Sequence, residues 1–280
     1  MALTSREKQV MARIKEWEES LYSYSPNDLE VTYDKYVERV FSLLPEETQK
    51  QFYIALDSWL FHLHALIQGS QLQFDAKERI LSAGRVFDQS ITQIEDLKQL
   101  SIDQLQYIAE QQISRHRLYS FAQGGMSGTG GALLLGVDLP AVTVINLRVI
   151  QLIAMTYGYE VNTPFEMMNS LKVFHAATLP VRMQVYSWEE LQQDIGKHRE
   201  YFYEGKEELT DITWMEQPLK QIFKSIAILF FKNKTLQGIP ILSMAIGAGS
   251  NYQLTRKVTD FAHSYYQLRY LAEKENTYDE

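Results

Sequence analysis

The chain has 280 residues, of which 45% are hydrophobic and 22% charged, a balance that provides for a substantial globular core. Its net charge of −8 excludes nucleic acid as an expected partner, because binding a phosphate backbone requires a basic surface. The absence of cysteine excludes disulfides, thiolate metal sites and thiol catalysis.

The N-terminal residues predict an amphipathic helix. Ser5 is a suitable N-cap, and the spacing of the apolar residues that follow puts them on one helical face: Val10, Ile14, Trp17 and Leu21. We therefore expect residues 1–30 to form a helix and a turn. The helix either packs on the domain or docks on a partner or a membrane surface. Because the segment is charged from Arg6 onward and lacks the apolar core of a secretory signal, we expect a cytoplasmic location.

Helical patterns continue along nearly the whole chain, and no run of alternating residues predicts a strand. Four of the predicted helices are given by their ranges: 32–44, 46–68, 211–231 and 242–271. Two more are predicted from their caps, one capped by Asp75 and running through Phe87 and one capped by Ser101. The last two contain a proline in the first turn: one has Asp138 as N-cap and Pro140 in its first turn, and the other runs from Thr163-Pro164 to Pro180. The stretch 181–211 is charged and predicts an exposed insert or a hinge, and residues 273–280 predict a frayed tail. The expected fold is one all-α domain over 1–280, a multi-helix bundle with two glycine-rich apolar helical segments.

These two segments, 118–137 and 235–255, carry no formal charge. Each has about the length that a bilayer crossing needs, but Gly, Ser, Gln and Asn dilute its hydrophobicity too far for a plain transmembrane helix. Two interpretations remain open: the segments pack their glycines in the core, or they touch a membrane.

The glycines between 124 and 131 do not form a nucleotide-binding motif. A phosphate-binding loop needs Lys followed by Ser or Thr after its last glycine, and here Ala132-Leu133 follows. Gly124 and Gly128 are instead spaced for close helix packing, as are Ser243, Gly247 and Asn251 in the second segment.

Asp138 and Arg148 stand in the most apolar part of the chain, where an unpaired buried charge is costly. One interpretation is structural, with Asp138 capping its helix and Arg148 pairing with an acidic residue in the core. In the other interpretation Arg148 and Arg256 bind an anionic group, such as a lipid headgroup or a carboxylate. His116 belongs to the basic patch Arg115-His116-Arg117, and His175 ends an apolar helix. No histidine spacing predicts a metal site, and no motif predicts a cofactor.

The longest motifs of the chain resemble the signature of the EcsC family of bacterial proteins. They are Gly125-x-x-Gly128-x-Gly130-Gly131, Asp138-Leu139-Pro140, Leu147-Arg148 through Tyr157-Gly158-Tyr159-Glu160, Gly238-Ile239-Pro240 and Asn251-Tyr252-x-x-Thr255-Arg256. The resemblance extends from about Trp17 to Tyr270. It implies a functional link with an ABC transporter, because EcsC accompanies the ATPase and membrane subunits of such a system. It assigns no biochemical activity.

We therefore expect a non-enzymatic accessory protein on the inner face of the membrane, with lipid headgroups or transporter subunits as partners. The alternatives are a hydrolase of lipid or peptide, with Asp138, His116 or His175 in a pocket, and a soluble helical scaffold. The candidate functional or ligand-binding residues are Arg115, His116, Gly125, Gly128, Gly130, Gly131, Asp138, Arg148, His175, Gly247, Asn251 and Arg256.

Overall fold

The computed structural model of the protein describes residues 3–26, 28, 67, 69–128, 132–195 and 240–276. Within these ranges the chain forms seven α-helices and one short 3-10 helix and contains no strand, which confirms the all-α prediction. The helices predicted over 32–44 and 211–231, and nearly all of the one over 46–68, lie outside these ranges.

Helix α1, Ser5–Tyr22, begins one residue earlier than predicted. Thr4, not Ser5, is the N-cap: its hydroxyl accepts from the amide of Glu7 at 3.2 Å, and the Glu7 carboxylate accepts from the amide of Thr4 at 2.8 Å. This reciprocal pair satisfies two amides that the helix itself leaves unpaired. The predicted apolar face is buried at Val10, Ile14 and Leu21. The Trp17 ring lies 4.8 Å from that of Trp188, so α1 packs on the domain.

Helix α2, Gln71–Arg85, also begins earlier than predicted. Its N-cap is Ser70, whose hydroxyl accepts from the amide of Gln73, so the prediction of Asp75 as the cap is wrong. A 3-10 helix, Ile94–Gln99, connects α2 to the next element.

Helix α3, Ile102–Gly128, follows Ser101 as predicted. The amide of Ser101 donates to the Gln104 side chain at 2.9 Å, and the Ser101 hydroxyl accepts from the amide of Gln104. The predicted apolar stripe is buried at Ile102, Leu105, Ile108 and Ile113. The helix continues through Gly124 and Gly125 to Gly128, so the first half of the glycine run is helical.

Helix α4, Ala132–Thr156, contradicts the prediction that Asp138 is an N-cap. The helix begins six residues before Asp138, so Asp138 and Pro140 lie within it. The physical reason is the run Ala132-Leu133-Leu134-Leu135, which consists of the strongest helix formers and extends the helix toward the glycines. The predicted end at Tyr157-Gly158 is confirmed, and Gly158 has a positive φ of 82° that favours glycine.

Helices α5, Pro164–Thr178, and α6, Val181–Gln193, are separated by Pro180 as predicted. Thr163 caps α5 by accepting from the amide of Glu166 at 3.2 Å. Helix α6 is the first part of the stretch that predicted an exposed insert, but its Trp188 is fully buried against Phe261. The rest of that stretch lies outside the described residues.

Helix α7, Pro240–Asn276, is the longest described helix and lies in the centre of the bundle. It packs most extensively along α3 and also contacts α1, α4 and α5. Its buried aromatic side chains, Phe261, Tyr265, Tyr266 and Tyr270, fill the middle of the core. The predicted start of the frayed tail, at 273, is still helical, and the structure describes the helix as far as Asn276.

Candidate functional site

The interface between α3 and α7 is polar where the first uncharged segment begins. The Ser120 hydroxyl donates to the carbonyl of Asn251 at 2.8 Å and accepts from the Thr255 hydroxyl at 2.7 Å. The Asn251 amide donates to the Gln123 side chain at 2.9 Å. Ser120, Asn251 and Thr255 are all buried, so this part of α3 turns its polar side inward.

The opposite side of α3 exposes large apolar residues. Leu118 is 64% exposed and Met126 is 68% exposed, and Tyr119 and Phe121 are each about half-exposed. On the neighbouring helix α7, the Tyr252 ring contacts the Phe121 ring edge-on, with centroids 6.4 Å apart. We call these five residues the apolar face. The normal arrangement of a surface helix, apolar inside and polar outside, is therefore reversed here.

Two arginines stand beside the apolar face. Arg115 is exposed and precedes Leu118 by one helical turn. Arg256 follows Tyr252 by one turn, is 64% exposed and lies 3.8 Å from Asp260. The Arg117 guanidinium joins α3 to α7 next to Arg256 by donating to Asp260 at 2.6 Å and to the Thr259 hydroxyl at 2.7 Å.

The predicted glycine sites divide into three groups. Gly124 is buried and Gly125 is half-buried, both within α3. Gly128 ends α3, and Gly247 lies within the first turns of α7. Gly130 and Gly131 lie outside the residues that the structure describes.

A second cluster forms where α2, α3 and α4 meet. Arg148 on α4 donates from Nη2 to the carbonyl of Leu72 on α2 at 2.6 Å, and its buried Nε has no partner among the described residues. In the described residues Arg148 therefore pairs with a backbone carbonyl and not with the expected acidic residue. Burial and the nearby Arg79 lower the pKa of Arg148.

His116 on α3 lies in the same cluster. It is 3% exposed, and its Nδ1 is 2.9 Å from the Gln112 carbonyl. Its Nε2 is buried and has no partner in the part of the chain that the structure describes. Burial, together with the smaller effect of the charges of Arg148, Arg115 and Arg79, lowers the pKa of His116 to about 4. The imidazole is therefore neutral at neutral pH.

Sequence reasoning selected Arg115, His116 and Arg148 in this cluster but missed Arg79. Arg79 is exposed on α2 and belongs to an ordinary charged helical pattern. Only the packing of α2 against α3 and α4 brings it to the other arginines, so no local signal could have identified it. Among the described residues Arg148 and Arg256 have no common partner, since Arg148 contacts α2 and Arg256 contacts Asp260.

The residues proposed for the hydrolase do not form a joint site in the described part of the chain. His175 is buried on α5, burial lowers its pKa to about 3, and its Nδ1 has no partner within the described ranges. Neither His116 nor His175 forms a side-chain hydrogen bond with a described carboxylate or hydroxyl. The structure describes the backbone of Asp138 but not its side chain. No group of three His, Asp or Glu residues within the described ranges could hold a metal ion.

The largest buried polar group was not predicted. Arg269 on α7 pairs with Glu166 on α5, with Nη2 2.7 Å from Oε1, and both side chains are almost completely buried. The Arg269 guanidinium also stacks on the Tyr159 ring at 3.8 Å. Burial opposes the charge of Arg269, but the Glu166 carboxylate raises its pKa well above the ordinary value.

None of the described helices combines the length and the apolar character that a membrane-spanning helix needs. The chain matches the EcsC protein family over residues 8–271. It is 23% identical to the uncharacterized protein YdbA of Bacillus subtilis (strain 168) over 237 residues, which are 83% of this chain and 81% of YdbA. No solved structure matches the chain.

Proposed function

The chain belongs to the EcsC family, as its motifs predicted, and we propose that it is a non-enzymatic helical protein that binds the membrane surface peripherally and acts with an Ecs-type ABC transporter. The features that support membrane binding are exposed apolar side chains and exposed positive charges, which together hold a protein on a membrane surface. A membrane-bound form of this kind would lie on the inner face of the membrane.

The observation that carries this proposal is the reversed polarity of α3. Exposed apolar side chains are costly in water, and burying one of the size of Leu or Phe contributes about 1.5–3 kcal/mol. Leu118, Phe121 and Met126 are exposed together on one side, while Ser120 is buried on the other. A contiguous exposed patch of this kind marks a surface that another apolar phase covers.

The side chains around the apolar face favour a lipid headgroup region as that phase. Tyr119 and Tyr252 carry the amphipathic rings that concentrate at membrane interfaces. Arg115 and Arg256 each contribute roughly 1 kcal/mol when they lie near an anionic bilayer surface. Because the whole chain has a net charge of −8, anionic lipid repels most of the protein surface. The protein is therefore expected to approach the bilayer through the apolar face and its two arginines.

Vesicle flotation tests the membrane part of the proposal. We expect the purified protein to float with phosphatidylcholine vesicles that contain phosphatidylglycerol, and less with pure phosphatidylcholine. The double variant L118Q/F121Q should bind at least about tenfold more weakly, because it loses two apolar contacts. The control is Y186Q, which removes an aromatic side chain that is 74% exposed on α6. Equal flotation of all three proteins would contradict the proposal.

The transporter part requires a separate experiment in cells. We expect a tagged copy of the protein to co-isolate with the ATPase and membrane subunits of the Ecs-type transporter from detergent-solubilised membranes. If L118Q/F121Q leaves the membrane fraction but still co-isolates with these subunits, the transporter binds another surface. Absence of the subunits from the isolate of the unaltered protein would refute the link.

A further inference from the structure

Three arginines lie near the buried His116, around the place where α2, α3 and α4 meet. Arg79, Arg115 and Arg148 each come from a different helix, and all three act electrostatically on the His116 ring. None of the three has a carboxylate within ion-pair distance among the described residues. Among the described residues, Asp75 acts on Arg148 from beyond ion-pair distance and accepts a hydrogen bond from Gln71. The cluster therefore has excess positive charge in a chain that is acidic overall.

The hydrogen bonds define what this cluster offers to a ligand. A carbonyl oxygen can only accept, so Nδ1 of His116 carries the hydrogen and donates to Gln112. In the neutral ring Nε2 is then a lone-pair acceptor, and no described residue donates to it although the side chain is 3% exposed. The Nε–H of Arg148 is likewise buried without an acceptor. The cluster thus combines unpaired cationic donors with one unpaired neutral acceptor.

A phosphate ester that carries a hydroxyl group complements both features. Guanidinium groups bind phosphate oxygens with paired, charge-assisted hydrogen bonds. A hydroxyl group of the same ligand can donate to a neutral imidazole nitrogen. A carboxylate or an unprotonated alkyl phosphate satisfies only the arginines and leaves His116 Nε2 unpaired, which is costly for a buried polar atom.

We propose that Arg79, Arg115 and Arg148 bind the phosphate of a glycerol phosphate group, and that His116 Nε2 accepts a hydrogen bond from its hydroxyl. Two sources supply this chemistry: the headgroup of phosphatidylglycerol and soluble sn-glycerol 3-phosphate. The lipid source deepens the proposed membrane function and rests on it, whereas the soluble source does not.

Tyr119 connects this site to the apolar face. Its ring lies edge-on to that of His116, with centroids 5.5 Å apart, and its side chain is half-exposed. Tyr119 is therefore in contact with both the His116 ring and solvent. A lipid held at the apolar face would present its headgroup next to the arginines, with Tyr119 between the two sites.

The first experiment compares ligands that differ only in the hydroxyl. Isothermal titration with sn-glycerol 3-phosphate and with methyl phosphate measures soluble ligands, and flotation with vesicles of phosphatidylglycerol or phosphatidylmethanol measures the lipid forms. We expect the hydroxyl-bearing ligand to bind roughly tenfold more tightly in at least one of these pairs. Because each pair has matched charge, no substitution in the protein is needed. Equal binding within both pairs would overturn the role of His116.

The second experiment tests the arginines. We expect R115Q and R79Q, which alter exposed side chains, each to weaken binding of the glycerol ligand about tenfold, whereas R6Q, which alters an exposed arginine of α1 outside both proposed sites, should leave it unchanged. Unchanged binding in both R115Q and R79Q would overturn the site.

The outcomes separate this site from the membrane proposal. Binding of sn-glycerol 3-phosphate without flotation supports the site and contradicts peripheral membrane binding. Flotation that depends on Leu118 and Phe121 but makes no distinction between phosphatidylglycerol and phosphatidylmethanol, together with no binding of glycerol phosphate, overturns the site and leaves the membrane proposal intact.

Discussion

Arg269 and Glu166 form an ion pair in the middle of the bundle, with Nη2 2.7 Å from Oε1 and side chains that are 2% and 3% exposed. The pair joins α7 to α5. Arg269 has a second carboxylate, that of Glu273 at 3.0 Å, which is 29% exposed. The two acidic partners of one arginine thus differ in burial, and this difference has a measurable consequence.

We expect Glu166→Gln to destabilise the protein by about 3–5 kcal/mol, because it leaves the Arg269 charge buried without its closest partner. Glu273→Gln should cost about 1 kcal/mol or less, because water reaches that position. Urea unfolding followed by circular dichroism measures both values. Similar losses in the two variants would show that the buried contact does not stabilise the charge of Arg269 as described.

Two glycines should respond to alanine in opposite directions. Gly158 has a φ of 82° and faces the Lys98 side chain, so Gly158→Ala should destabilise the fold by roughly 1–2 kcal/mol. A Cβ at Gly249 would meet no atom within 4 Å, so Gly249→Ala should stabilise α7 by up to about 1 kcal/mol through helix propensity.

Thermal unfolding of both alanine variants measures the difference. A loss of stability in Gly249→Ala would show that this glycine is required for close packing, as the small-residue pattern of the second uncharged segment suggests.

His175 should make the protein sensitive to acid. Burial lowers its pKa from 6.5 to about 3, so below pH 6.5 the unfolded chain binds a proton that the folded chain does not. The free energy of unfolding therefore falls as pH decreases from about 6.5 toward 3, by up to about 1.4 kcal/mol per pH unit.

His175→Leu removes this titration, so the free energy of unfolding should fall less steeply with decreasing pH, by up to about 1.4 kcal/mol per pH unit. Urea unfolding over this pH range gives the two slopes. Above about pH 7.5 His175 is neutral in both states, so the difference between the variant and the parent there reports packing alone. Parallel curves throughout the range would contradict the buried, neutral state of His175.

The sequence predicted the helices best where a local signal decides them. The stripe of α1, the cap at Ser101 and the Thr163-Pro164 start are properties of neighbouring residues, and the structure confirms each. The prediction for Asp138 failed because an acidic residue two positions before a proline is typical of a helix start. The alanine and leucine residues before it extended the helix instead.

The candidate site was harder to predict, because it depends on which side of α3 its neighbours cover. Leu118, Phe121 and Met126 follow a helical spacing that is typical of a core face. The hydrogen bonds of Ser120 with α7 turn that face outward, and they depend on Asn251 and Thr255, more than 120 residues away in the chain. The cluster around His116 likewise needs Arg79 from another helix.

The absence of cysteine permits a direct measurement at the apolar face. A single cysteine introduced by Leu118→Cys, and in a control by Tyr186→Cys, can be labelled with an environment-sensitive fluorophore. When vesicles containing phosphatidylglycerol are added, we expect the emission of the label at position 118 to shift to shorter wavelength and to be quenched by lipids that carry spin labels in their acyl chains. The label at position 186 should not change. An unchanged label at position 118, or equal changes at both positions, would contradict membrane binding through the apolar face.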